Sequence, residues 1–557
     1  MILRSNPVFP ADSYASVAGQ LTLDQLLRNL VKKNPSARLL SDPPDAGLAT
    51  GKNPQSLTTQ DVECRVERLA GHLRDMGLRQ DDIVAVRMPN SVDLAITLLA
   101  IWRAGLIASP LPLGWRRREW VPALTAIAPK ALITTSRIAD ENAALTACQI
   151  AERQFSIRFV AAFGQNCPDG VFPLDAVMNA ASEGAQNSSP VIRSRSGDSV
   201  ATVTWMETAD GTLPVARCHA SWVAMALRPI ADMRLTAQDR LICPMMLGHA
   251  PGFAVGLTAT LLTGASLILH HPFSKDGLAE QMARALPTCA IVPSSLIHDF
   301  CAREGARSLR SVLSVLPFGI GACDAPEHGG DAESHFDVLH YASFGELGLI
   351  PGQRLPDGAL SLRTDTDIPA RLGTENAPGV ARLQQHEAEP TRAYRRYNAE
   401  STAQKSQTYH LTGAMAPDGI WSAGPGLGRM RSETIETVAL PVRFHSTGDG
   451  GVYAASFASG ISAIGGLSFD ADGLERVYGR LEDAESAMIA SDHEALTVGI
   501  VPAGTEAPSE TTIRVGAEHA GVADYKIADR IATLTSLPRD ADGQPDRATV
   551  ARKAAVA

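Results

Sequence analysis

Between Leu57 and Thr135 the chain alternates repeatedly between a helical and an extended apolar period, and this rhythm constrains the fold more than any other feature. Leu57 to Met76, LTTQDVECRVERLAGHLRDM, places apolar residues at Val62, Val66, Leu69, Leu73 and Met76. Steps of three and four line one face of a helix. Thr58 or Thr59 stands where its cap is needed. Asp82 to Val86 then reads as a short buried strand, and Pro89-Asn90-Ser91 as a turn. Val92 to Ala104 is an apolar helix ended by Gly105, with Leu106 to Ala108 and Ala131 to Thr135 as further strands. Alternation at this spacing predicts βαβ units and a largely parallel sheet covered by helices.

The rhythm returns after Asp198. Ser199 to Trp205 is a predicted strand, Ala220 to Leu227 a helix and Asp239 to Met245 a strand. Leu267 to His270, Ala290 to Val292 and Val312 to Leu316 follow as strands. From Gly352 to Pro441 the chain is rich in Gly, Pro, Arg and Glu, which predicts an irregular, β-rich lobe. Past Ser456 the pattern resets. Phe469 to Tyr478 reads as a helix, Ala495 to Pro502 as a strand, and Asp524 to Ile531 leads into Leu537-Pro538-Arg539, a small separate α+β unit. Pro251 to Leu269 is uncharged over 19 residues and imitates a membrane span. Its opening Pro-Gly and its internal Thr263-Gly264-Ala265 instead predict a buried helix, a turn and a buried strand.

A chain of 557 residues that is 45% hydrophobic and 20% charged has ample material for several buried cores, which excludes disordered, collagenous and coiled-coil classes. With 50 Lys and Arg against 60 Asp and Glu, the net charge of −10 offers no basic face for nucleic acid. None of the eight cysteines sits at C-x-x-C spacing, so neither a zinc site nor a disulfide scaffold is predicted. The amino terminus has no long apolar run, and a cytoplasmic protein with reduced thiols is expected.

The stretch Leu57 to Thr135 resembles the amino-terminal part of adenylate-forming enzymes: acyl-CoA synthetases, peptide-synthetase adenylation domains and luciferases. Further landmarks follow in family order: PMMLGHAPG at Pro244, LPFGIGACDAP at Leu316, SFGELG at Ser343, HSTGDGG at His445 and ADYKIADRIATLTSLPRDADGQPDR at Ala523. The resemblance covers nearly the whole chain. It implies an α/β fold with a large multi-layer amino-terminal domain, residues 1–455 including the lobe 352–441, and a small mobile α+β carboxy-terminal domain, 456–557. It also implies ATP or AMP, magnesium and coenzyme A as cofactors and co-substrates. A small carboxylic acid or its acyl thioester is the expected partner, with a second copy of the chain or a carrier protein as the candidate macromolecular one.

The family's motifs are kept unevenly. At the phosphate loop the chain reads Glu207-Thr208-Ala209-Asp210-Gly211-Thr212-Leu213-Pro214-Val215-Ala216. Thr208, Gly211 and Thr212 fit nucleotide binding, but the family lysine falls at Val215. Glu207 and Asp210 add negative charge where a polyanion should sit. The rival reading is a surface turn between strand and helix; Arg217 is a partial substitute for the lysine. His249 matches an aromatic-or-His position beside the acyl pocket, Gly321 and Ala322 the loop that packs on adenine, and Glu346 the acidic residue that holds magnesium. Thr447 and Asp449 match the ribose-binding turn. The run from Gly451 lacks the hinge's charged residues, and the catalytic lysine position holds Gln544. Lysines at 215 and 544 are expected to restore adenylation. The basic run Arg116-Arg117-Arg118 is either a phosphate contact for coenzyme A or a solvated helix start with one paired arginine.

Two function classes stay open at this point. One is an AMP-dependent acid–thiol ligase of acyl-CoA synthetase type with weak or altered adenylation. The other is a non-catalytic pseudoenzyme that binds an acyl, adenylate or coenzyme A ligand. The fold alone does not separate them.

Overall fold

A computed structural model describes residues 21–179, 197 and 199–556, except for internal stretches that include 209–210, 318–335, 344–347, 394–441, 447–450 and 540–544. Two large sheets share one layer of helices. In the first sheet the strands Val171–Pro173, Phe159–Phe163, Ala131–Thr135, Ile83–Arg87, Ile107–Pro110 and Val200–Thr208 lie side by side and parallel; Gly211–Cys218 adds antiparallel to the last, and Thr391–Ala393 adds antiparallel to Gly211–Cys218. In the second, Arg38–Ser41, Ser266–Leu269, Arg240–Cys243, Cys289–Pro293, Ser311–Pro317 and Asp337–Ser343 are parallel neighbours. Leu349–Arg354, Leu360–Arg363, Gly451–Phe457 and Val442–Ser446 then extend it antiparallel. Part of the irregular lobe expected at 352–441 therefore completes this sheet, and its stretch 394–441 lies outside the described residues.

The amphipathic helix forms as Thr59–Asp75, capped by the Thr58 hydroxyl, with Val62, Val66, Leu69 and Leu73 fully buried. Helix Val92–Arg103 is buried on every side, as an all-round apolar helix must be. Ser91 caps it, and its last residue, Arg103, is held by Asp24, Glu63 and Glu67 at 3.1, 2.9 and 2.6 Å. The span-like segment resolves into a π-helical turn Gly252–Thr258, a short α-helix Ala259–Thr263, Gly264 at φ +82° and strand Ser266–Leu269. Among the described residues no helix is long and apolar enough to cross a membrane. At the centre of the shared layer Phe253 stacks on Trp222 with ring centroids 4.1 Å apart and meets Trp102 edge-on at 5.6 Å.

Residues 467–556 build a separate core. Strands Ala484–Ser491, Leu496–Pro502 and Arg530–Thr533 form a three-stranded sheet covered by helices Ala471–Tyr478, Glu510–His519 and Arg547–Val556. The helix expected over Phe469 to Tyr478 begins two residues later, because Phe469 belongs to the strand Leu467–Asp470 and the Asp470 carboxylate caps the helix by accepting from Gly473 N at 2.7 Å.

Phe253→Ala removes a buried ring from the layer that both sheets share. Denaturant unfolding should show a loss of about 3–5 kcal/mol, and a loss below about 1 kcal/mol would mean that this stack is not a core element.

Candidate functional site

In parallel α/β sheets ligands gather outside the carboxyl ends of the strands. Here the carboxyl edges of both sheets meet. Strand Arg240–Cys243 of the second sheet runs into Pro244–His249, and this loop is fixed from the first sheet. Asn90, just past strand Ile83–Arg87, donates from Nδ2 to Met245 O at 2.7 Å and accepts from Leu247 N at 2.8 Å. A Cβ on Gly248 would lie 3.3 Å from Pro110 Cβ, at the end of the neighbouring strand. His249 follows, half-buried, and its carbonyl accepts from Phe253 N at 2.9 Å as the π-helical turn begins. That turn needs glycine at 252, where a Cβ would meet Met246 O at 2.3 Å. A π-turn beside such a cleft is a common functional marker. The Cys243 thiol at the end of strand Arg240–Cys243 is no nucleophile. Burial pushes Cys243 up to about 12, and its Sγ donates to Met245 O at 3.4 Å.

Strand register brings the other expected segments to the same edge. Pro317 and Ser343 are paired at the ends of adjacent parallel strands, from which the segments carrying Gly321, Ala322 and Glu346 depart. Ser446 and Val452 are paired across the connection that contains Thr447 and Asp449. Counting antiparallel steps from Asp337–Ser343 through Leu349–Arg354, Leu360–Arg363 and Gly451–Phe457 puts that connection at this edge too. Gly321, Ala322, Glu346, Thr447 and Asp449 themselves lie outside the described residues, as does Gln544.

The phosphate-loop segment differs from the surface turn expected between strand and helix. Val200–Thr208 and Gly211–Cys218 pair antiparallel along their whole length, with Glu207 opposite Thr212 and Thr208 opposite Gly211. Only two residues, 209 and 210, connect them. Val200, Thr202, Val203, Thr204 and Trp205 give the first arm its strand character. Thr208 and Gly211 thus flank a tight connection, and Thr212 is half-buried. Val215 pairs with Thr204 and is fully buried. Arg217 is 1% exposed with its guanidinium over the Trp222 ring at 4.7 Å. Six residues of strand, about 20 Å, separate it from Gly211 at the hairpin tip.

The carboxy-terminal unit closes one side. Strand Leu467–Asp470 lies against Val200–Thr208. A second contact, at Gly521–Lys526, borders a pocket of about 280 Å³ lined by Arg118, Arg476, Val477, Arg480, Leu481 and Ala520. Arg116, Arg117 and Arg118 are all exposed, and Arg116 pairs with Asp524. Arg118 comes from the first turn of helix Arg117–Ile127, whereas Arg476 lies in the last turn of Ala471–Tyr478 and Arg480 in the turn just past its end, where Arg480 N donates to Val477 O at 3.1 Å. Sequence reasoning found the basic run but missed Arg476, Arg480 and Asn90. The four-residue arginine spacing and an Asn in a turn after a buried strand were the available signals.

The described geometry agrees with what is found among known proteins. Residues 28–204 match the family model of the AMP-binding enzyme. A medium-chain fatty-acid–CoA ligase of Escherichia coli (strain K12) is 23% identical over 259 residues, which is 46% of this chain and 45% of that protein. The match thus spans less than half of that relative's length. A 2-hydroxy-7-methoxy-5-methyl-1-naphthoate–CoA ligase of Streptomyces carzinostaticus is 23% identical over 535 residues, covering 89% of this chain and 88% of its own. The amide bond synthetase McbA of Marinactinospora thermotolerans shares the fold, with a TM-score of 0.68 and 17% identity, over 95% of this chain and 99% of that one.

The burial of Val215 bears on the expectation that a lysine there helps restore adenylation. A lysine there would place an ammonium inside the sheet rather than at the hairpin tip. Val215→Lys should cost at least about 3 kcal/mol in denaturant unfolding. An unchanged midpoint, with gained adenylation, would show instead that the side chain reaches the cleft.

Proposed function

We propose that this chain, which belongs to the adenylate-forming superfamily, is an acyl-CoA synthetase-like enzyme that carries a small carboxylic acid to a thioester, with acyl transfer its strong step and ATP-dependent adenylation its weak one. The observation that carries this reading is the hairpin 200–218, whose lysine position, Val215, is buried apolar strand. Adenylation must stabilise charge developing on a polyphosphate, which needs fixed cations. Gln544 at the second lysine position can donate a hydrogen bond but brings no charge. Transfer needs less. A thiol sulfur bonds to the acyl carbon, the acyl–phosphate C–O bond breaks, AMP leaves with that electron pair, and the thiol proton passes to solvent. Asp449 would accept the ribose hydroxyls, with Thr447 in the same turn, and His249 would flank the acyl group. Among the described residues no group of three or more His, Cys, Asp or Glu is placed for a metal. Magnesium would neutralise phosphate charge when bound, and Glu346 is the residue that would hold it.

The three-arginine pocket fits the phosphates of the thiol co-substrate. Guanidinium groups bind phosphate oxygens in bidentate fashion, and Val477, Leu481 and Ala520 offer an apolar floor. Arg480→Glu should raise the KM for coenzyme A at least about tenfold, since a charge-assisted hydrogen bond contributes about 1.5–3 kcal/mol. The KM for pantetheine, which lacks the nucleotide phosphates, should stay within a factor of about two. Equal effects on both thiols would remove the phosphate from this pocket.

The function itself is tested by pyrophosphate exchange beside thioester formation from supplied acyl-adenylates, over a panel of acids. Exchange should be feeble, transfer measurable, and Gln544→Lys should raise exchange by about 10². Vigorous exchange by the unaltered protein would overturn the order of the two steps. Tight binding of adenylate with neither activity would make the chain a binder.

A further inference from the structure

Among the described residues Cys218, Cys243 and Cys289 are buried and Cys64 is exposed on its helix, whereas Cys148 and Cys167 are both half-buried and pack on the flank of one apolar core. Cys148 lies on helix Ala143–Arg153, one turn after Ala144, so these two share a face. Ala144 N donates to Ser136 O at 3.3 Å, and Ser136 N donates to Phe163 O at 2.5 Å, which lays that face over the end of strand Phe159–Phe163. Ser136 lies so close to Gly164 that a Cβ there would overlap its Oγ. The chain turns back at this point, with Gly164 at φ +106° and Asn166 at +59°, and Cys167 Sγ donates to Gly164 O at 3.7 Å. Both thiols are thus brought to one corner above the same strand end. Burial, Asp175 and Cys148 together hold the Cys167 thiol above its ordinary value, so the two sulfurs are near enough to feel each other's charge. Cys167 also lines an open hollow of about 610 Å³, formed by residues 164–171 and Pro173, through which a small oxidant reaches it.

We propose that Cys148 and Cys167 are a reversible disulfide site, closed by a peroxide and reopened by a dithiol, that fastens the segment 164–170 to helix Ala143–Arg153. The Cys167 thiolate attacks one peroxide oxygen, the O–O bond breaks, and hydroxide leaves with that electron pair, giving a sulfenic acid. The Cys148 thiolate then attacks this sulfur, the S–O bond breaks, and a second hydroxide leaves. The two thiol protons end in two waters, and the two electrons lost by sulfur are taken up by the peroxide. A dithiol returns both electrons by exchange through a mixed disulfide. Burial raises the Cys148 thiol too, with Glu152 adding to it. Thiolate is therefore scarce on both partners at neutral pH, so brief exposure leaves the pair reduced and sustained oxidant closes it. Strand Val171–Pro173, which follows the segment, is the three-residue free edge of its sheet. A bridge from Cys148 to Cys167 closes a loop around strand Phe159–Phe163 and removes freedom from the unfolded chain at this edge.

The test treats the reduced full-length chain with hydrogen peroxide, blocks the remaining thiols and digests with trypsin. Arg153 and Arg158 separate the two cysteines, so their peptides stay joined through sulfur alone. A joined pair lacking two hydrogens should appear in a chain that still runs as a single chain on a non-reducing gel, and dithiothreitol should part it. Closure should raise the thermal midpoint by at least about 2 °C. Cys148→Ser should halt at a Cys167 sulfenic acid that dimedone traps, and neither this variant nor Cys167→Ser should gain in midpoint. Cys64→Ser, which removes the exposed thiol, should behave as the unaltered chain. Free thiols after sustained peroxide, separate oxidation of the two sulfurs to sulfinic acids, a link to another cysteine or another chain, or a link that forms only in denaturant would overturn the site. A joined pair with an unchanged midpoint would overturn the fastening. None of these readouts depends on acyl transfer, so the site stands or falls apart from the transfer reading above.

Discussion

The cleft depends on two sheets having to share a single layer of helices. Helix Val92–Arg103 has no face for solvent, so apolar side chains from both sheets must close over it. The turn that starts this helix also delivers Asn90, whose amide spends both its donor and its acceptor on the backbone of the Met245–Leu247 loop. Burying the helix and bringing the two carboxyl edges together are therefore one event. The position of His249 follows from packing some distance away from it, which is how a rigid scaffold places a loop residue.

Charge is distributed along the cleft in an uneven way. The hairpin 200–218 offers an apolar strand at Val215, and Arg217 is held in the core over Trp222. Three arginines instead line the far pocket at the seam between units. Cations remote from the reacting atoms bind ground state and transition state alike, so they lower KM without speeding the chemical step. Cations at the transferring phosphate stabilise charge that appears only in the transition state. Among the described residues the arginine pocket at the seam supplies cations of the first kind, and on the reading proposed above these hold the phosphate-bearing co-substrate.

Much of the fold was legible because periodicity is local. The steps Val62, Val66, Leu69 and Leu73 named a buried face, and Pro251-Gly252 with Gly264 divided the span-like segment where the helix and strand divide it. The first arm of the hairpin was legible as the strand Ser199 to Trp205, whereas its second arm was not, because a loop motif was laid over Glu207 to Ala216. The start of the Ala471–Tyr478 helix was placed two residues early because Phe469 is apolar at helical spacing from the residues that follow, while Asp470, the cap, was the better marker. The cleft was legible only as a set of segments. Nothing local in Pro89-Asn90-Ser91 shows that its amide will hold a loop 155 residues away.

The seam was illegible for the same reason, more strongly. Glu119 and Lys526 are 407 residues apart, and each has a bland local account, one as the acidic N3 residue of a capping box and the other as a lysine in a short 3₁₀ turn. Only their burial together changes the physics. In water the pair would contribute well under about 1 kcal/mol, and its loss on undocking would be offset by hydration of both charges. Inside the seam a displaced register separates the buried Glu119 carboxylate from the Lys526 ammonium. Apolar contact through Tyr525 supplies attraction that tolerates sliding, whereas the ion pair tolerates none. Weak net attraction combined with registry is what a buried ion pair beside a bridging aromatic ring supplies, and Glu119, Lys526 and Tyr525 are placed in that way at this seam.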